Sequence, residues 1–278
     1  MNHFEWNWKY KEKKIYAQGW APTQSKAVVC IVHGFAENSD RYERVASFLC
    51  DNGYAVLALD LIGHGKSEGK RGHVDDYENL LDCVRDITLE AETRFPNLPV
   101  FLYGHSLGGN IVTNFLLRRQ PKNIKAAIVT GPLFKLGFEP PAIKVLLAKM
   151  MVSIYPKFTE NTNLEVDAIS RDKNEVRKYK ENPSVFNVVT AGMFLGFYKA
   201  GKYALEHAND LNVPLLIMHG TADRLTSYHG SEEFTKNNTS GLVTLKLWEG
   251  FYHELHNEPE EDRKKVLDYA LAWLNNFA

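Results

Sequence analysis

The chain has 278 residues, of which 44% are hydrophobic and 24% charged, a composition typical of a folded globular protein and not of a disordered or fibrous one. Its 33 lysines and arginines nearly balance its 34 aspartates and glutamates, so the formal charge of −1 argues against a nucleic-acid partner. Three cysteines without a CxxC pair (Cys30, Cys50 and Cys83) favour buried, reduced thiols over a disulfide framework or a zinc site.

The N-terminal residues carry no recognisable targeting signal. They lack a basic head followed by an apolar run, and no stretch of about 20 apolar residues occurs anywhere in the chain. We therefore expect a cytoplasmic protein without a membrane-spanning helix. The composition still allows peripheral attachment to a membrane through an apolar surface.

Alternating aromatic residues open the chain. Four of them share one parity over the first ten positions, namely Phe4, Trp6, Trp8 and Tyr10. A charged tip at residues 11–14 then leads into the apolar residues 15–17. This alternation predicts an antiparallel hairpin with one buried face.

Short apolar runs follow, and most of them precede a longer helical pattern. The runs are Ala27–Val32, Tyr54–Leu59, Pro99–Tyr103, Ala126–Val129, Pro214–Met218 and Val243–Leu247. The helical patterns cover residues 40–52, 76–94, 107–119, 190–208, 229–237 and 260–276. Runs that are apolar on both faces predict central strands of a mostly parallel sheet with helices on both faces. Without a repeat or a linker, we expect one α/β domain over residues 1–278.

One region interrupts the strand–helix alternation. The segment between the runs that end at 129 and begin at 214 is too long for a single crossover helix, so we expect an insertion at about residues 134–190. It contains Pro141–Tyr155, a stretch that is apolar almost all round and is bounded by Pro141 at its first position and Pro156 beyond its end. Such a helix is either deeply buried or placed at an apolar interface.

The segment Gly104-His105-Ser106-Leu107-Gly108-Gly109 has the G-x-S-x-G pattern of a nucleophile elbow. It follows an apolar run and opens a helical pattern, which is the context that this motif requires. The glycines allow a sharp turn, and the serine hydroxyl then lies at a helix N-terminus. We therefore predict that Ser106 is a catalytic nucleophile.

A serine nucleophile needs a base, and the base needs an acid. In the chain order of α/β-hydrolases, the acid and then the histidine follow late strands. Asp223 follows the run that ends at 218, and His253 follows the run that ends at 247. We therefore predict a triad of Ser106, Asp223 and His253, which needs neither a metal nor a cofactor.

An oxyanion hole needs two backbone N–H groups placed before the reaction. Leu107 directly follows the nucleophile, and Phe35 lies in the loop after the first buried run, so we expect both to donate. His33 precedes the turn of that loop and is expected to hold it in place. His64 is likewise expected to be structural, because its glycine-rich segment lacks the G-x-G-x-x-G pattern and the following helix of a phosphate loop.

The chain resembles the monoacylglycerol lipases, a branch of the α/β-hydrolases that also includes lysophospholipases. The resemblance extends from about Gly19 to Trp273 and rests on His33-Gly34, Arg41-Tyr42, Gly63-His64-Gly65-x-Ser67-Glu68-Gly69, the elbow, Ala222-Asp223-Arg224 and Glu249-Gly250-x-Tyr252-His253. It implies an α/β-hydrolase fold with an inserted helical lid, and a serine hydrolase that cleaves monoacylglycerols. A lysophospholipase or broad-specificity carboxylesterase remains an alternative, as does a non-catalytic ligand receptor on the same fold.

The resemblance also implies a set of substrate-binding residues. Glu37, Arg41 and His256 match positions that face the glycerol head in the family, and Leu133 and Leu225 match positions that line the acyl channel. Residues 134–190 correspond to the family's lid, which touches membranes. The implied partners are therefore a small lipid substrate and, transiently, a membrane surface.

Overall fold

A central sheet organises this computed structural model, which describes residues 1–138 and 142–278. The strands are β1 (Asn2–Tyr10), β2 (Lys13–Ala21), β3 (Ala27–Val32), β4 (Tyr54–Leu59), β5 (Val100–His105), β6 (Ile124–Thr130), β7 (Thr159–Asn161), β8 (Val188–Thr190), β9 (Leu215–Gly220) and β10 (Val243–Trp248). The helices are α1 (Glu43–Asp51), α2 (Glu78–Arg94), α3 (Leu107–Arg119), α4 (Ala142–Ile154), α5 (Lys173–Glu181), α6 (Ala191–Glu206), α7 (Tyr228–Asn237) and α8 (Glu260–Leu274).

Eight strands form one mixed sheet in the order β1-β2-β4-β3-β5-β6-β9-β10. The pairs β1–β2 and β2–β4 are antiparallel, and every later pair is parallel. This is the predicted α/β-hydrolase fold, and the predicted N-terminal hairpin is its antiparallel end. The six predicted strands lie within two residues of the observed bounds. For the five runs before Val243, the reason is that runs without charged residues mark strands buried on both faces.

Helices cover the sheet on both faces, and β3 shows why. Its residues Val28, Cys30 and Val32 join an apolar cluster that includes side chains of α2, α3 and α6. The alternate residues Val29 and Ile31 join a second cluster with side chains of α1 and α8. Because successive side chains of a strand point to opposite faces, both faces must be covered. The carboxyl ends of the parallel strands consequently share one edge of the sheet.

Two parts of the architecture differ from the sequence-based expectation. Strand β10 is an edge strand whose six residues are all half-buried, so its prediction as a central strand is wrong. Thr244 and Lys246 alternate with the apolar residues of this strand, a pattern typical of a strand with one exposed face. Helix α5 and the β7–β8 ribbon were not predicted, because α5 is rich in charged residues and buries few apolar side chains.

The region between β6 and β9 contains α4, β7, α5, β8 and α6. Deep burial of α4 is contradicted, because large apolar side chains of this helix are about half exposed or more: Ile143, Leu146, Leu147, Met150 and Ile154. The predicted first position of the helix, Pro141, lies outside the described residues. Within the described part of the chain, no helix is long and apolar enough to span a bilayer.

Candidate active site

Ser106 lies in the sharp turn between β5 and α3. Its φ and ψ angles are 54° and −115°, a strained combination for a residue other than glycine. The flanking glycines make this turn possible, since a Cβ on Gly104 would lie 2.5 Å from Gly108 O and one on Gly108 would lie 2.0 Å from Val32 O. The Ser106 N–H donates to Thr130 O at 2.9 Å, which ties the turn to β6.

The two predicted oxyanion donors lie on segments that meet at Ser106. Leu107 is the first residue of α3, so its N–H has no acceptor within the helix. The loop after β3 passes beside the nucleophile, because a Cβ on Gly34 would lie 3.2 Å from Ser106 Cβ. Phe35 follows Gly34 and lines the same cavity as Ser106. This arrangement leaves both predicted donors as candidates for the oxyanion hole.

Asp223 and His253 are joined by a short, buried hydrogen bond. His253 Nδ1 lies 2.6 Å from Asp223 Oδ2. This hydrogen bond orients the imidazole and leaves its other nitrogen, Nε2, without a bond to Asp223. Asp223 Oδ1 accepts from the backbone N–H groups of Leu225 and Thr226 at 2.8 and 3.0 Å. The position of the carboxylate is therefore held by the loop after β9.

Two further residues support this acid and were not predicted to do so. The Thr226 hydroxyl donates to Asp223 Oδ2 at 2.8 Å, and His219 Nε2 lies 3.1 Å from the same oxygen. His219 is a residue of β9 and also contacts Ser231 Oγ at 2.8 Å. The sequence signal that could have identified His219 is its position: it is a polar residue near the end of an otherwise apolar strand, four positions before Asp223.

The electrostatics of the pair favour an ionised acid beside a basic histidine. Burial alone would raise the pKa of Asp223, but the His253 charge and the hydrogen bonds from His219 and His253 hold that pKa well below its usual range. Burial works against protonation of His253, but the Asp223 charge and hydrogen bond outweigh it and raise the His253 pKa. Among the described residues, no hydrogen bond joins Ser106 Oγ to His253. Such bonds are often long without substrate.

A cavity of about 420 Å³ brings the candidate residues together. Ser106 and His253 line it, as do the predicted channel residues Leu133 and Leu225. The other lining residues include a group of large apolar side chains, namely Leu136, Phe138, Ile169, Val189, Phe194 and Phe197. In the described part of the chain, no group of three His, Cys, Asp or Glu side chains is placed to hold a metal ion.

The predicted head-group residues separate into two sets. Glu37 lines the cavity, whereas Arg41 and His256 do not. Arg41 lies behind the wall, where it pairs with Glu37 and Glu254, and His256 is fully buried against Tyr42. Glu254 lines the cavity and was not predicted, although its place directly after His253 is a signal that could have been used.

The two histidines expected to be structural, His33 and His64, are fully buried and are not among the residues that line the cavity. The backbone N–H of Leu61 donates to His33 Nε2 at 3.0 Å, and His33 Nδ1 lies 2.7 Å from Gly34 O. Burial and the neighbouring His33 lower the pKa of His64 to about 3, so that ring is neutral near pH 7.

Comparisons with known proteins agree with this geometry. A family model described as serine aminopeptidase, S33 matches residues 23–260. A monoacylglycerol lipase of Mycolicibacterium smegmatis is 36% identical over 263 residues, which cover 94% of this chain and 92% of that protein. An uncharacterized abhydrolase domain-containing protein of Dictyostelium discoideum is 33% identical, and the match covers 92% of this chain but 27% of that protein. The solved structure of a Paleococcus ferrophilus monoacylglycerol lipase superposes with a TM-score of 0.87 at 28% identity, covering 95% of this chain and 99% of that one.

Proposed function

The chain belongs to the monoacylglycerol lipase family of α/β-hydrolases, and we propose that it hydrolyses monoacylglycerols to glycerol and free fatty acid. The observation that carries the proposal is the meeting of the Ser106 turn and the Asp223–His253 pair at one cavity. The apolar walls of that cavity suit an acyl chain, and Glu37 and Glu254 offer acceptors for a polyol head.

The reaction proceeds through an acyl-enzyme. His253 takes the Ser106 proton while Ser106 Oγ attacks the ester carbonyl, and the N–H groups of Leu107 and Phe35 stabilise the oxyanion. Asp223 stabilises the charged imidazole, which then protonates the departing glycerol oxygen. Water, deprotonated by His253, attacks the acyl-enzyme and releases the fatty acid.

Residues 134–190 act in this proposal as a cap on a single α/β domain. The segment contributes much of the cavity wall, including Phe138, Leu164, Ile169, Tyr179 and Val189. Its helix α4 presents exposed apolar side chains to the surroundings. A cap of this kind covers the acyl chain and can rest on the lipid surface from which the substrate is taken.

The test combines active-site labelling with a head-group panel. A fluorophosphonate should label the wild type and a Ser47→Ala control but not Ser106→Ala, since the label reports an activated serine. We expect 1- and 2-monoolein to be hydrolysed at least about tenfold faster than oleoyl lysophosphatidylcholine. An unlabelled wild type would overturn the serine mechanism. Faster turnover of the lysophospholipid would overturn the substrate assignment and leave the mechanism intact.

A further inference from the structure

Two buried carboxylates from distant parts of the chain share one end of the cavity. Glu37 comes from the loop after β3 and Glu254 follows His253, and both side chains are 3% exposed. Arg41 lies between them and forms an ion pair with each. The formal charge of this group, two carboxylates and one guanidinium, is −1.

The hydrogen bonds within the group leave acceptor capacity on two adjacent oxygens. Glu37 Oε1 accepts from Gly34 N at 2.6 Å and from Tyr42 Oη at 2.8 Å, whereas Oε2 accepts only from Arg41 Nη1 among the described residues. Glu254 Oε2 accepts from Arg41 Nη2 at 2.7 Å and from Asn257 Nδ2 at 2.8 Å.

The remaining Glu254 oxygen, Oε1, accepts from Arg41 Nη1 at 2.7 Å. Glu37 Oε2 and Glu254 Oε1 therefore share one donor atom and must lie close together. A carboxylate oxygen can accept about two hydrogen bonds, so each of the two retains one vacant acceptor position.

Cations that could bind an anionic head group are already paired. Arg41 uses both terminal nitrogens on carboxylates, and its guanidinium lies 4.7 Å from the centre of the Tyr179 ring. Arg224, a cation in the described cavity wall, forms an exposed ion pair with Glu165 at 2.8 Å. A phosphate at the head end would face carboxylate oxygens, and no unpaired cation among the described lining residues would compensate it.

We infer that Glu254 is a specificity-determining residue that acts with Glu37: the two carboxylates accept hydrogen bonds from the vicinal hydroxyls of an uncharged polyol and reject a phosphorylated head. Arg41 is the positioning residue that holds both carboxylates. The inference rests on the proposed function, because it concerns the head group of the same ester substrate.

A matched set of compounds isolates the head group. 1-Oleoylglycerol and 1-oleoylglycerol 3-phosphate differ by one phosphate, and ethyl oleate carries no hydroxyl beyond the ester. For the full-length wild type, kcat/KM should be at least about 30-fold higher for 1-oleoylglycerol than for its 3-phosphate. The non-hydrolysable ether 1-O-hexadecylglycerol should likewise inhibit at least about tenfold more strongly than its 3-phosphate. That second measurement needs no variant.

Glu254→Gln tests the residue. It should raise KM for 1-oleoylglycerol and reduce the discrimination against the 3-phosphate at least about tenfold. The ratio of the two kcat/KM values is compared within one variant, so an effect of the substitution on His253 applies to both substrates. Glu175→Gln is the matched control, because Glu175 is a buried carboxylate that also pairs with an arginine, Arg44 at 2.8 Å, but does not line the cavity. It should leave the discrimination unchanged.

The outcomes separate the inference from the function on which it rests. Equal inhibition of the wild type by the ether and its 3-phosphate would overturn the inference even if Glu254→Gln does not fold. The same loss of discrimination in Glu175→Gln, or none in Glu254→Gln, would overturn it as well. A wild type that hydrolyses ethyl oleate but not 1-oleoylglycerol would overturn the proposed substrate and the inference together. A wild type that hydrolyses both, and hydrolyses 1-oleoylglycerol 3-phosphate as fast as 1-oleoylglycerol, would overturn the inference alone.

Discussion

At the scale of single residues, the acid of the candidate triad is the most densely hydrogen-bonded side chain of the site. Asp223 accepts from His253, Thr226 and the backbone, and His219 contacts it from β9. Because these neighbours hold the carboxylate in its ionised form, the charge on which His253 depends persists over the whole neutral pH range. The rate should therefore follow the protonation of His253.

The pH profile of kcat/KM tests this dependence. His253 must be neutral to accept the Ser106 proton, and Asp223 raises its pKa above the ordinary value of 6.5. We expect kcat/KM for a soluble p-nitrophenyl ester to rise with pH, with a midpoint above 6.5. In Asp223→Asn the attraction is lost while burial still disfavours the charged imidazole, so the midpoint should fall. The limiting rate should fall by about 10³- to 10⁴-fold.

A surface aspartate provides the comparison for this profile. Asp268 of α8 is exposed and pairs with Lys264, so Asp268→Asn should keep both the midpoint and the rate of the wild type. An unchanged midpoint in Asp223→Asn would show that another group titrates, and His253 would lose its place as the base.

At the scale of secondary-structure elements, the close packing of α3 against the sheet requires glycine, which has no side chain, at position 108. A Cβ on Gly108 would lie 2.0 Å from Val32 O and 2.6 Å from His33 O, and these backbone atoms cannot move aside singly. We expect Gly108→Ala to lower the free energy of unfolding by about 3 kcal/mol or more, measured by urea denaturation.

A glycine on α6 is the control for this substitution. In Gly196→Ala the new Cβ would lie 3.4 Å from Tyr77 Cβ, an ordinary contact, and the helix gains a better helix former. Its free energy of unfolding should be unchanged or higher by up to about 1 kcal/mol. Equal loss in both variants would mean that α3 can shift away from β3 at little cost.

The same elements show what a sequence can reveal about this fold. Strands β3 and β4 were predicted at their observed bounds, because burial on both faces removes polar residues from the sequence. The start of α3 at Leu107 was predicted because the G-x-S-x-G motif has a required position between strand and helix. Edge strand β10 was misplaced in the sheet, because the alternation of Thr244 and Lys246 with apolar residues, which is typical of a half-exposed strand, was not used.

The candidate site was predictable where the chemistry demands a particular residue type in a particular order. Ser106, Asp223 and His253 fulfil that condition. In the structure His253 is bonded to Asp223 and lines the same cavity as Ser106, and activity measurements can test whether the three act together. The head end was less predictable. Arg41 forms ion pairs with Glu37 and Glu254 from behind the cavity wall. These two carboxylates become neighbours only because the loops after β3 and β10 come together in the fold.

At the scale of the whole molecule, a nearly neutral chain carries an apolar surface on one helix. The exposed residues of α4 recur at spacings of three and four, which places Ile143, Leu146, Leu147, Met150 and Ile154 on one stripe. With a formal charge of −1, long-range attraction to a membrane contributes little. Contact with lipid would therefore depend on burial of this stripe, and adding salt should not weaken it.

Vesicle binding tests that expectation. The full-length protein should sediment with phosphatidylcholine vesicles equally well at low salt and at about 0.5 M NaCl, because burial of apolar side chains is not screened. Introducing two charges with Leu146→Glu and Met150→Glu should weaken binding at least about tenfold, while kcat/KM for a soluble ester stays near that of the wild type. Leu89→Glu is the control, since Leu89 is 48% exposed but lies on α2. Binding that modest salt abolishes, or that Leu89→Glu weakens equally, would assign the contact to a surface other than α4.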